Sequence, residues 1–307
     1  MSRMLATHLS GLAPFTSSAR LQERLDGQHP GASEGQAGSS TAADHLRRHF
    51  TTGDGVRIAY HVDGAADKPV LVLSNSIATD LGMWDRQVPE LAEHFHVVRY
   101  DMRGHGESEV PAGAYSLDRL GRDVLELLDG LGIERAHFLG LSLGGFVGQW
   151  LGIHAPERIG RLILSNTASY LGPAAQWDEA INSVFKAEGM QETAERFLRN
   201  WFPTRLLEEG SAVVEPFRTT LLAMDRQGLA GSYAVVRDTD MRRTIVLITS
   251  PTLVIAGEHD PVTTVSHSET MAETIPGARL LVMPAAHMTH IEFPSEFMEV
   301  VLNFLRS

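Results

Sequence analysis

The chain of 307 residues contains no cysteine. Disulfide bonds, thiolate nucleophiles and zinc sites built from thiolates are therefore excluded. The chain also lacks an apolar run of the ~20 residues that a bilayer-spanning helix needs, so we expect no membrane association and a cytoplasmic location. The groups that remain for chemistry are serine, the carboxylates and histidine, of which there are 14.

Basic residues are scarce relative to acidic ones. Lysine and arginine number 26 against 38 aspartates and glutamates, which gives a formal net charge of −12. A surface of this charge repels nucleic acid and anionic lipid, so we expect neither as a partner. The same field opposes the approach of an anionic substrate, which would need a local positive or hydrogen-bonding pocket.

The first part of the chain has little that could pack into a core. From about Gly27 to Ala43 most residues are glycine, serine or alanine, which predicts a flexible extension over residues 1–45. Directly after it, His49 to Thr52 and Val56 to Val62 flank an Asp-Gly pair. This pattern predicts a β-hairpin with a tight turn.

Short apolar runs alternate with helical patterns over the rest of the chain. The predicted strands are Val70–Ser74, His96–Tyr100, Ala136–Gly140, Arg161–Ser165, Thr252–Ala256 and Arg279–Met283. The alternation predicts an α/β fold with a mostly parallel central sheet and helices on both faces.

No strand is evident between Ser169 and Asp240. We therefore expect an inserted helical cap over residues 169–240, and a core over residues 46–168 and 241–307. The cap contains four aromatic residues that we expect to pack in its interior rather than to contact substrate. They are Trp177, Phe185, Phe197 and Trp201.

A Gly-x-Ser-x-Gly pattern, Gly140-Leu-Ser-Leu-Gly144, follows a predicted strand and precedes a helical segment. This context is typical of a nucleophile elbow, a sharp turn that exposes a serine hydroxyl at the carboxyl edge of a sheet. The flanking glycines remove the Cβ clashes that the strained turn would otherwise cause. Ser142 is therefore the candidate nucleophile.

A serine nucleophile needs a base whose pKa lies near 7, which histidine supplies without special tuning. In folds with a nucleophile elbow, the serine comes first along the chain, and the acid and then the histidine follow in loops after late strands. His287, in Pro284-Ala-Ala-His287, is the histidine that fits this order. His290 is a close rival, but His287 lies nearer the strand end and has small neighbours. His259 is interpreted as a lining or structural residue.

The acid of such a triad follows the preceding strand, where two carboxylates stand. Asp260, whose short side chain lies beside Pro261, suits a fixed loop, whereas Glu258 is expected to be a solvated loop residue. Asp101 also follows a strand but precedes the serine, so its loop is predicted to be structural. Whether Arg103 of that loop faces the site stays open.

Hydrolysis by such a triad also needs an oxyanion hole, formed by two backbone N–H groups that point at the developing charge. One comes from the residue after the nucleophile, which is Leu143. The other comes from the loop after the first parallel strand, and we assign it to Ile77. Neither the triad nor the oxyanion hole needs a metal or a cofactor, and we expect none.

From Leu46 onwards the chain resembles the α/β-hydrolases, and more narrowly the 3-oxoadipate enol-lactonases. The matching segments are Leu73 to Asp80, Gly148 to Arg158, Leu164 to Ala168, Trp177, Gly189-Met190, Trp201-Phe202 and Arg237 to Arg242. The chain departs from the family where Ile77-Ala78 replaces the usual Leu-Gly and where Leu143 replaces a frequent methionine. None of these changes removes a reacting group.

The resemblance implies the α/β-hydrolase fold and hydrolysis of an enol-lactone that carries a carboxymethyl group. Ser142 would attack the lactone carbonyl, and the enol leaving group would become a ketone. The resemblance also implies that polar groups of the cap, or groups near Asn75 and Ser76, hold the substrate carboxylate. Trp150 is expected to wall the pocket.

Two other functions stay open at this point. A carboxylesterase, a perhydrolase or a carbon–carbon bond hydrolase of the same fold would share the triad. A non-catalytic ligand-binding protein could also use a hydrolase scaffold. Dehalogenases and epoxide hydrolases are excluded, because they need aspartate at the position of Ser142.

Overall fold

The computed structural model describes residues 48–208 and 212–307. The extension predicted over residues 1–45 lies outside them. The strands are β1 (Arg48–Thr51), β2 (Arg57–Asp63), β3 (Val70–Ser74), β4 (His96–Tyr100), β5 (Ala136–Leu141), β6 (Ile159–Ser165), β7 (Thr252–Gly257) and β8 (Arg279–Met283). Together they form one sheet with the order β1-β2-β4-β3-β5-β6-β7-β8.

Most of this sheet is parallel. The pairs β1–β2 and β2–β4 are antiparallel, and every later pair is parallel. The predicted hairpin is present, with Gly55 at a φ of 86° in its turn. Because β3, β5, β6, β7 and β8 run in one direction, the loops after their carboxyl ends share one edge of the sheet, where parallel folds place their sites.

The helices are numbered within the described residues. They are α1 (Val88–Ala92), α2 (Leu117–Gly130), α3 (Leu143–His154), α4 (Ala174–Lys186), α5 (Gln191–Trp201), α6 (Thr204–Glu208), α7 (Glu215–Ala223), α8 (Arg226–Asp238), α9 (Val265–Thr274), α10 (Thr289–Glu292) and α11 (Pro294–Arg306). None of the helices in the described ranges combines the length and the hydropathy that a membrane crossing requires.

Helix α2 shows how the local sequence sets these elements. It begins after Ser116, whose hydroxyl accepts a hydrogen bond from the backbone N–H of Arg119 at 3.2 Å, as an N-cap does. Its buried residues recur at helical spacing and include Leu120, Val124 and Leu127. Buried residues of this kind join the helices and the sheet in one hydrophobic core.

The segment between β6 and β7 is helical. It holds α4 to α8, of which α4 packs against α8 and α5 against α7. Residues 169–208 and 212–240 contain no strand beyond an isolated antiparallel bridge between Tyr170 and Asp240, as the sequence predicts. The bridge joins the two ends of the segment. Its status as a separate cap, with the core boundaries expected from the sequence, stays a prediction.

Helix α3 starts directly at the end of β5 and approaches β3 closely. The backbone N–H of Gly144 donates to the carbonyl of Asn75 at 2.9 Å. A Cβ atom at Gly144 would lie 2.3 Å from the carbonyl oxygen of Ser74. Only glycine allows this contact, which fixes the start of α3 against the end of β3.

We expect Gly144→Ala to lower the free energy of unfolding by ~3 kcal/mol, because the clash is with backbone that cannot rotate away. Urea denaturation measures this change. Gly189→Ala is the matched control, since an added Cβ there meets nothing within 4 Å. Equal stability of the two variants would contradict the proposed close contact.

Candidate active site

Ser142 lies between β5 and α3 with a φ of 55° and a ψ of −115°, a conformation that L-residues rarely adopt. Neighbouring groups hold it there. Its N–H donates to the carbonyl of Ser165 at 3.0 Å, and its carbonyl accepts from the hydroxyl of Thr167 at 2.7 Å. A Cβ at Gly140 would lie 2.1 Å from the Gly144 carbonyl oxygen, so the turn also needs glycine at that position. The geometry is that of the predicted elbow.

Asp260 and His287 form a buried pair at the same edge of the sheet. Nδ1 of His287 lies 2.7 Å from Oδ2 of Asp260, and both side chains are almost fully buried. Asp260 follows β7 and His287 follows β8. Since a carboxylate accepts hydrogen bonds only, Nδ1 carries the proton and Nε2 is left free to accept one.

Four further hydrogen bonds fix the carboxylate of Asp260. Oδ1 accepts from the backbone N–H groups of Val262 at 2.8 Å and Thr263 at 3.0 Å. Oδ2 accepts from the hydroxyl of Thr263 at 2.6 Å and from the side-chain amide of Asn166 at 3.1 Å. Burial by itself would raise the pKa of Asp260, but the charge of His287 and these hydrogen bonds lower it to about 2. The carboxylate is therefore ionised at neutral pH.

Sequence reasoning missed Asn166 and Thr263 as parts of this arrangement. Asn166 has a φ of 45° directly after β6, and its side-chain oxygen accepts from the hydroxyl of Thr289 at 2.7 Å. It thus ties the loops after β6, β7 and β8 together. The one signal in the sequence was an asparagine at the carboxyl end of a predicted strand, a position where asparagine tolerates positive φ.

An inner cavity of about 170 Å³ adjoins the elbow. Its lining residues are Ile77, Ser142, Leu143, Phe146, Leu171, Trp177, Ala180, Arg196, Phe197, Asn200, Trp201, Tyr233, Val236, Val262 and His287. An outer cavity of about 630 Å³ shares Arg196 and four other residues with it. The structure therefore brings Ser142 and His287 together on one cavity, with Asp260 behind the histidine.

The rival residues lie elsewhere. Glu258 and His259 are exposed and do not line the inner cavity. His290 is fully buried beside Trp84, with Nε2 3.2 Å from the carbonyl of Met83. Burial lowers the pKa of His290 to about 3, so it is neutral at the pH where a general base works.

The two residues assigned to the oxyanion hole, Ile77 and Leu143, both line the inner cavity. Within residues 48–208 and 212–307, no acceptor pairs with the backbone N–H of either. The next residue, Ala78, has a φ of 59° where the resembled family usually has glycine. Its N–H donates to Nε2 of His105 at 3.0 Å. Nε2 of His105 is thus the hydrogen-bond acceptor that supports the strained loop around Ala78.

His105 is held in one tautomer. Its Nδ1 lies 3.1 Å from the carbonyl of Arg103 and must donate to it, so Nε2 is free to accept from Ala78. Burial lowers the pKa of His105 to about 4. Protonation of Nε2 would place two donors against each other and would release the loop.

The loop that contains Asp101 and Arg103 is structural, as predicted for Asp101. Asp101 accepts from the backbone N–H groups of Leu81 and Glu107. Arg103 does not line the inner cavity, because its guanidinium pairs with Asp54 and Asp123 at 3.0 and 2.7 Å. No cluster of three or more metal-ligating side chains occurs in the part of the chain that the structure describes.

The expected substrate contacts at Asn75 and Ser76 need correction. The side-chain oxygen of Asn75 accepts from the indole N–H of Trp84 at 3.0 Å, and its amide donates to the carbonyl of Tyr100 at 2.9 Å. Ser76 is completely buried. Neither lines the inner cavity. Hydrogen bonds fix the side chain of Asn75 inside the protein, and burial keeps the side chain of Ser76 away from the inner cavity.

Trp150 also does not line the inner cavity. It lies on α3, stacks on His154 with ring centroids 4.6 Å apart, and packs against Gly121 of α2.

The aromatic residues of α4 and α5 also differ from the expectation, which placed all four of them in the interior. Trp177, Phe197 and Trp201 line the inner cavity rather than only the cap interior, and Phe185 is exposed.

We expect His105→Ala to lower kcat for an activated ester by ~10- to 100-fold with little change in KM, because the Ala78 loop loses its acceptor. His105→Gln should restore part of the rate, since an amide oxygen can accept in place of Nε2. His49→Gln, on an exposed strand residue, is the control. A purely structural role of His105 predicts instead that Ala and Gln variants lose the same activity.

The buried histidines also predict a pH dependence of stability. In the folded state, burial holds the pKa values of His105 and His290 below 6.5, the ordinary value of a histidine. As the pH falls below 6.5, the unfolded chain therefore binds protons that the folded chain does not. The free energy of unfolding should fall on acidification, by about 3 kcal/mol from His105 alone by about pH 4. Urea denaturation over this range measures the slope. An unchanged slope in His105→Gln would contradict the assignment.

Comparison with known proteins identifies the fold and the family. A family model described as alpha/beta hydrolase fold matches residues 69–240. A hydrolase structure from Pseudomonas aeruginosa PA01 superposes with a TM-score of 0.85 at 58% identity, covering 87% of this chain and 100% of that one. The enol-lactonase structure from Burkholderia xenovorans LB400 has a TM-score of 0.82 at 37% identity, covering 85% and 100%. The fold predicted from the sequence is confirmed.

Among curated proteins, 3-oxoadipate enol-lactonase 2 of Acinetobacter baylyi is 38% identical over 257 residues, which are 84% of this chain and 96% of that protein. Relatives provisionally named carbamate hydrolases are more distant, with 28% identity over 254 residues for that of Pseudomonas savastanoi pv. phaseolicola, covering 79% and 95%. The chain therefore belongs to the α/β-hydrolases and, among them, to the 3-oxoadipate enol-lactonase family.

Proposed function

We propose that the protein hydrolyses 3-oxoadipate enol-lactone to 3-oxoadipate with Ser142 as nucleophile, His287 as general base and acid, and Asp260 as the group that orients the histidine. One observation carries the proposal. Ser142 and His287 line the same cavity, while Nδ1 of His287 is held at 2.7 Å by an ionised carboxylate. This arrangement leaves Nε2 to exchange protons with the serine hydroxyl.

In the first half of the reaction, Oγ of Ser142 bonds to the lactone carbonyl carbon while Nε2 of His287 accepts its proton. The ring C–O bond then breaks, and the imidazolium returns the proton to the enol oxygen. The enol tautomerises to the 3-oxo ketone, which remains attached as an acyl-enzyme. An enolate leaves more readily than an alkoxide, so this step demands less of the acid than amide hydrolysis does.

In the second half, water attacks the acyl carbonyl and passes a proton to His287. The bond to Ser142 breaks, Oγ takes the proton back, and the free carboxylic acid leaves. Lactone and water thus give the oxo acid without any other reactant. Asp260 stays ionised throughout and stabilises the imidazolium in each half.

Both tetrahedral intermediates place negative charge on the former carbonyl oxygen. We assign its stabilisation to the backbone N–H groups of Ile77 and Leu143, each of which contributes ~3 kcal/mol where such donors have been removed in other hydrolases. Their lack of acceptors within the described residues, and their position on the cavity wall, support this role.

Family membership favours the enol-lactone over other esters, because relatives named 3-oxoadipate enol-lactonases align over most of this chain. The competing activities are those of a carboxylesterase, a perhydrolase, a carbon–carbon bond hydrolase or a carbamate hydrolase. Each would use the same serine, so the substrate comparison decides among them. The aromatic wall and small volume of the inner cavity suit a compact ring.

We expect Ser142→Ala and His287→Ala each to lower kcat by roughly 10³-fold or more while the thermal unfolding midpoint stays near that of the wild type. His290→Ala is the matched control and should change kcat little, because His290 does not reach the cavity. The assay follows enol-lactone generated from muconolactone by its ultraviolet absorbance. A large loss in His290→Ala with a mild loss in His287→Ala would show that the base is wrongly assigned.

The same assay separates the substrate classes. The kcat/KM for enol-lactone should exceed that for 4-nitrophenyl acetate and for a simple alkyl carbamate. A preference for the acetate would favour a general carboxylesterase. A fluorophosphonate should label Ser142, and a folded protein that stays unlabelled would indicate a ligand-binding protein instead.

A further inference from the structure

The wall of the inner cavity contains one fixed cation. Among the described residues that line it, most are aromatic or aliphatic, and Arg196 is the one lysine or arginine. No aspartate or glutamate is among them. No carboxylate on the wall of the inner cavity therefore compensates the charge of Arg196; the outer cavity, which Arg196 also lines, has one, Glu179.

The guanidinium of Arg196 is also incompletely paired. Its Nη2 atom is buried and has no hydrogen-bond partner within residues 48–208 and 212–307. None of the ion pairs in these ranges includes Arg196. Arg103, by contrast, is a buried arginine whose guanidinium pairs with Asp54 and Asp123. A buried N–H donor that lacks an acceptor is unfavourable, unless a ligand supplies one.

Tyr233 does not supply the missing negative charge. It lines the same cavity, and burial raises the pKa of its hydroxyl, while the charge of Arg196 and a hydrogen bond between the two side chains oppose that rise. The phenol is therefore neutral at neutral pH. Of the remaining polar side chains on the wall, Asn200 is uncharged and Ser142 is the nucleophile.

We propose that Arg196 binds a carboxylate of the substrate and so makes the site selective for esters and lactones that carry a carboxylate away from the scissile carbonyl. This inference rests on the proposed hydrolase function and adds the residue that holds the substrate carboxylate. A guanidinium fits a carboxylate with two parallel hydrogen bonds. It also provides the local positive site that an anion needs on a protein of net charge −12.

The position of Arg196 sets the length of that substrate. Arg196 lines both the inner and the outer cavity, whereas Ser142 lines the inner one alone. The carboxylate would thus lie toward the entrance and the carbonyl toward the elbow. Ring opening of the enol-lactone gives an acyl-enzyme with a six-carbon chain whose far end is a carboxylate, which matches this arrangement.

The test uses two esters with six-carbon acyl chains, 4-nitrophenyl hydrogen adipate and 4-nitrophenyl hexanoate. They differ in a terminal carboxylate and give adipoyl-enzyme and hexanoyl-enzyme. We expect the ratio of kcat/KM for the anionic ester to that for the neutral ester to fall by ~100-fold in Arg196→Met, mainly through KM. Arg196→Lys should give an intermediate ratio, because it keeps the charge but not the paired donors.

Arg199→Met is the matched control. Arg199 lies one turn further along α5 and is exposed, so its loss changes the net charge equally and should leave the ratio unaltered. A folded Arg196→Met protein whose ratio equals that of Arg199→Met overturns the proposal. Thermal unfolding shows whether each variant is folded. If Arg196→Met is unfolded, the ratio measured for Arg196→Lys decides the proposal instead.

Calorimetric titration with adipate separates this inference from the proposed function. Adipate should bind the wild type and Arg199→Met with equal affinity, and Arg196→Met ~100-fold more weakly. If the wild type hydrolyses neither ester nor the enol-lactone, the proposed function fails, while adipate binding still decides the role of Arg196. If both esters are hydrolysed and adipate affinity is the same in all three proteins, Arg196 is not the anchor and the hydrolase function stands.

Discussion

The buried contact between His287 and Asp260 is the constraint on which the rest of the site depends. It joins the loops after β7 and β8, and Asn166 brings in the loop after β6 through the same carboxylate. Five hydrogen bonds saturate Asp260, so its charge is stable without water. A buried ion held this firmly fixes the orientation of the imidazole, which lines the same cavity as the strained serine after β5.

The groups that we propose to react could be placed from the sequence because each has a strong local signal. Ser142 lies between glycines at a strand-to-helix junction, and the order of acid and histidine along a parallel sheet leaves few candidates. The strands themselves are short apolar runs that periodicity identifies. Parallel strands bring their carboxyl ends to one edge, so residues 142, 260 and 287 converge once the sheet is assumed.

The supporting groups could not be predicted in this way. The acceptor role of His105 depends on its tautomer and on the positive φ of Ala78, neither of which a pattern of residue types reveals. Asn75 and Trp150 lie close in sequence to the site but face inward, since proximity along the chain does not fix the direction of a side chain. The aromatic residues of α4 and α5 illustrate the converse, because helical spacing alone cannot distinguish a packed core from the wall of a cavity.

The site draws its parts from two sources. The sheet edge supplies every group proposed to react, and the helices between β6 and β7 supply Trp177, Arg196 and Tyr233, which face the ligand space. If the proposed roles hold, the chemistry and the choice of substrate are encoded on separate stretches of the chain. Exchange of the helical stretch alone could redirect such an enzyme to a new carbonyl compound in evolution, with its chemistry inherited intact.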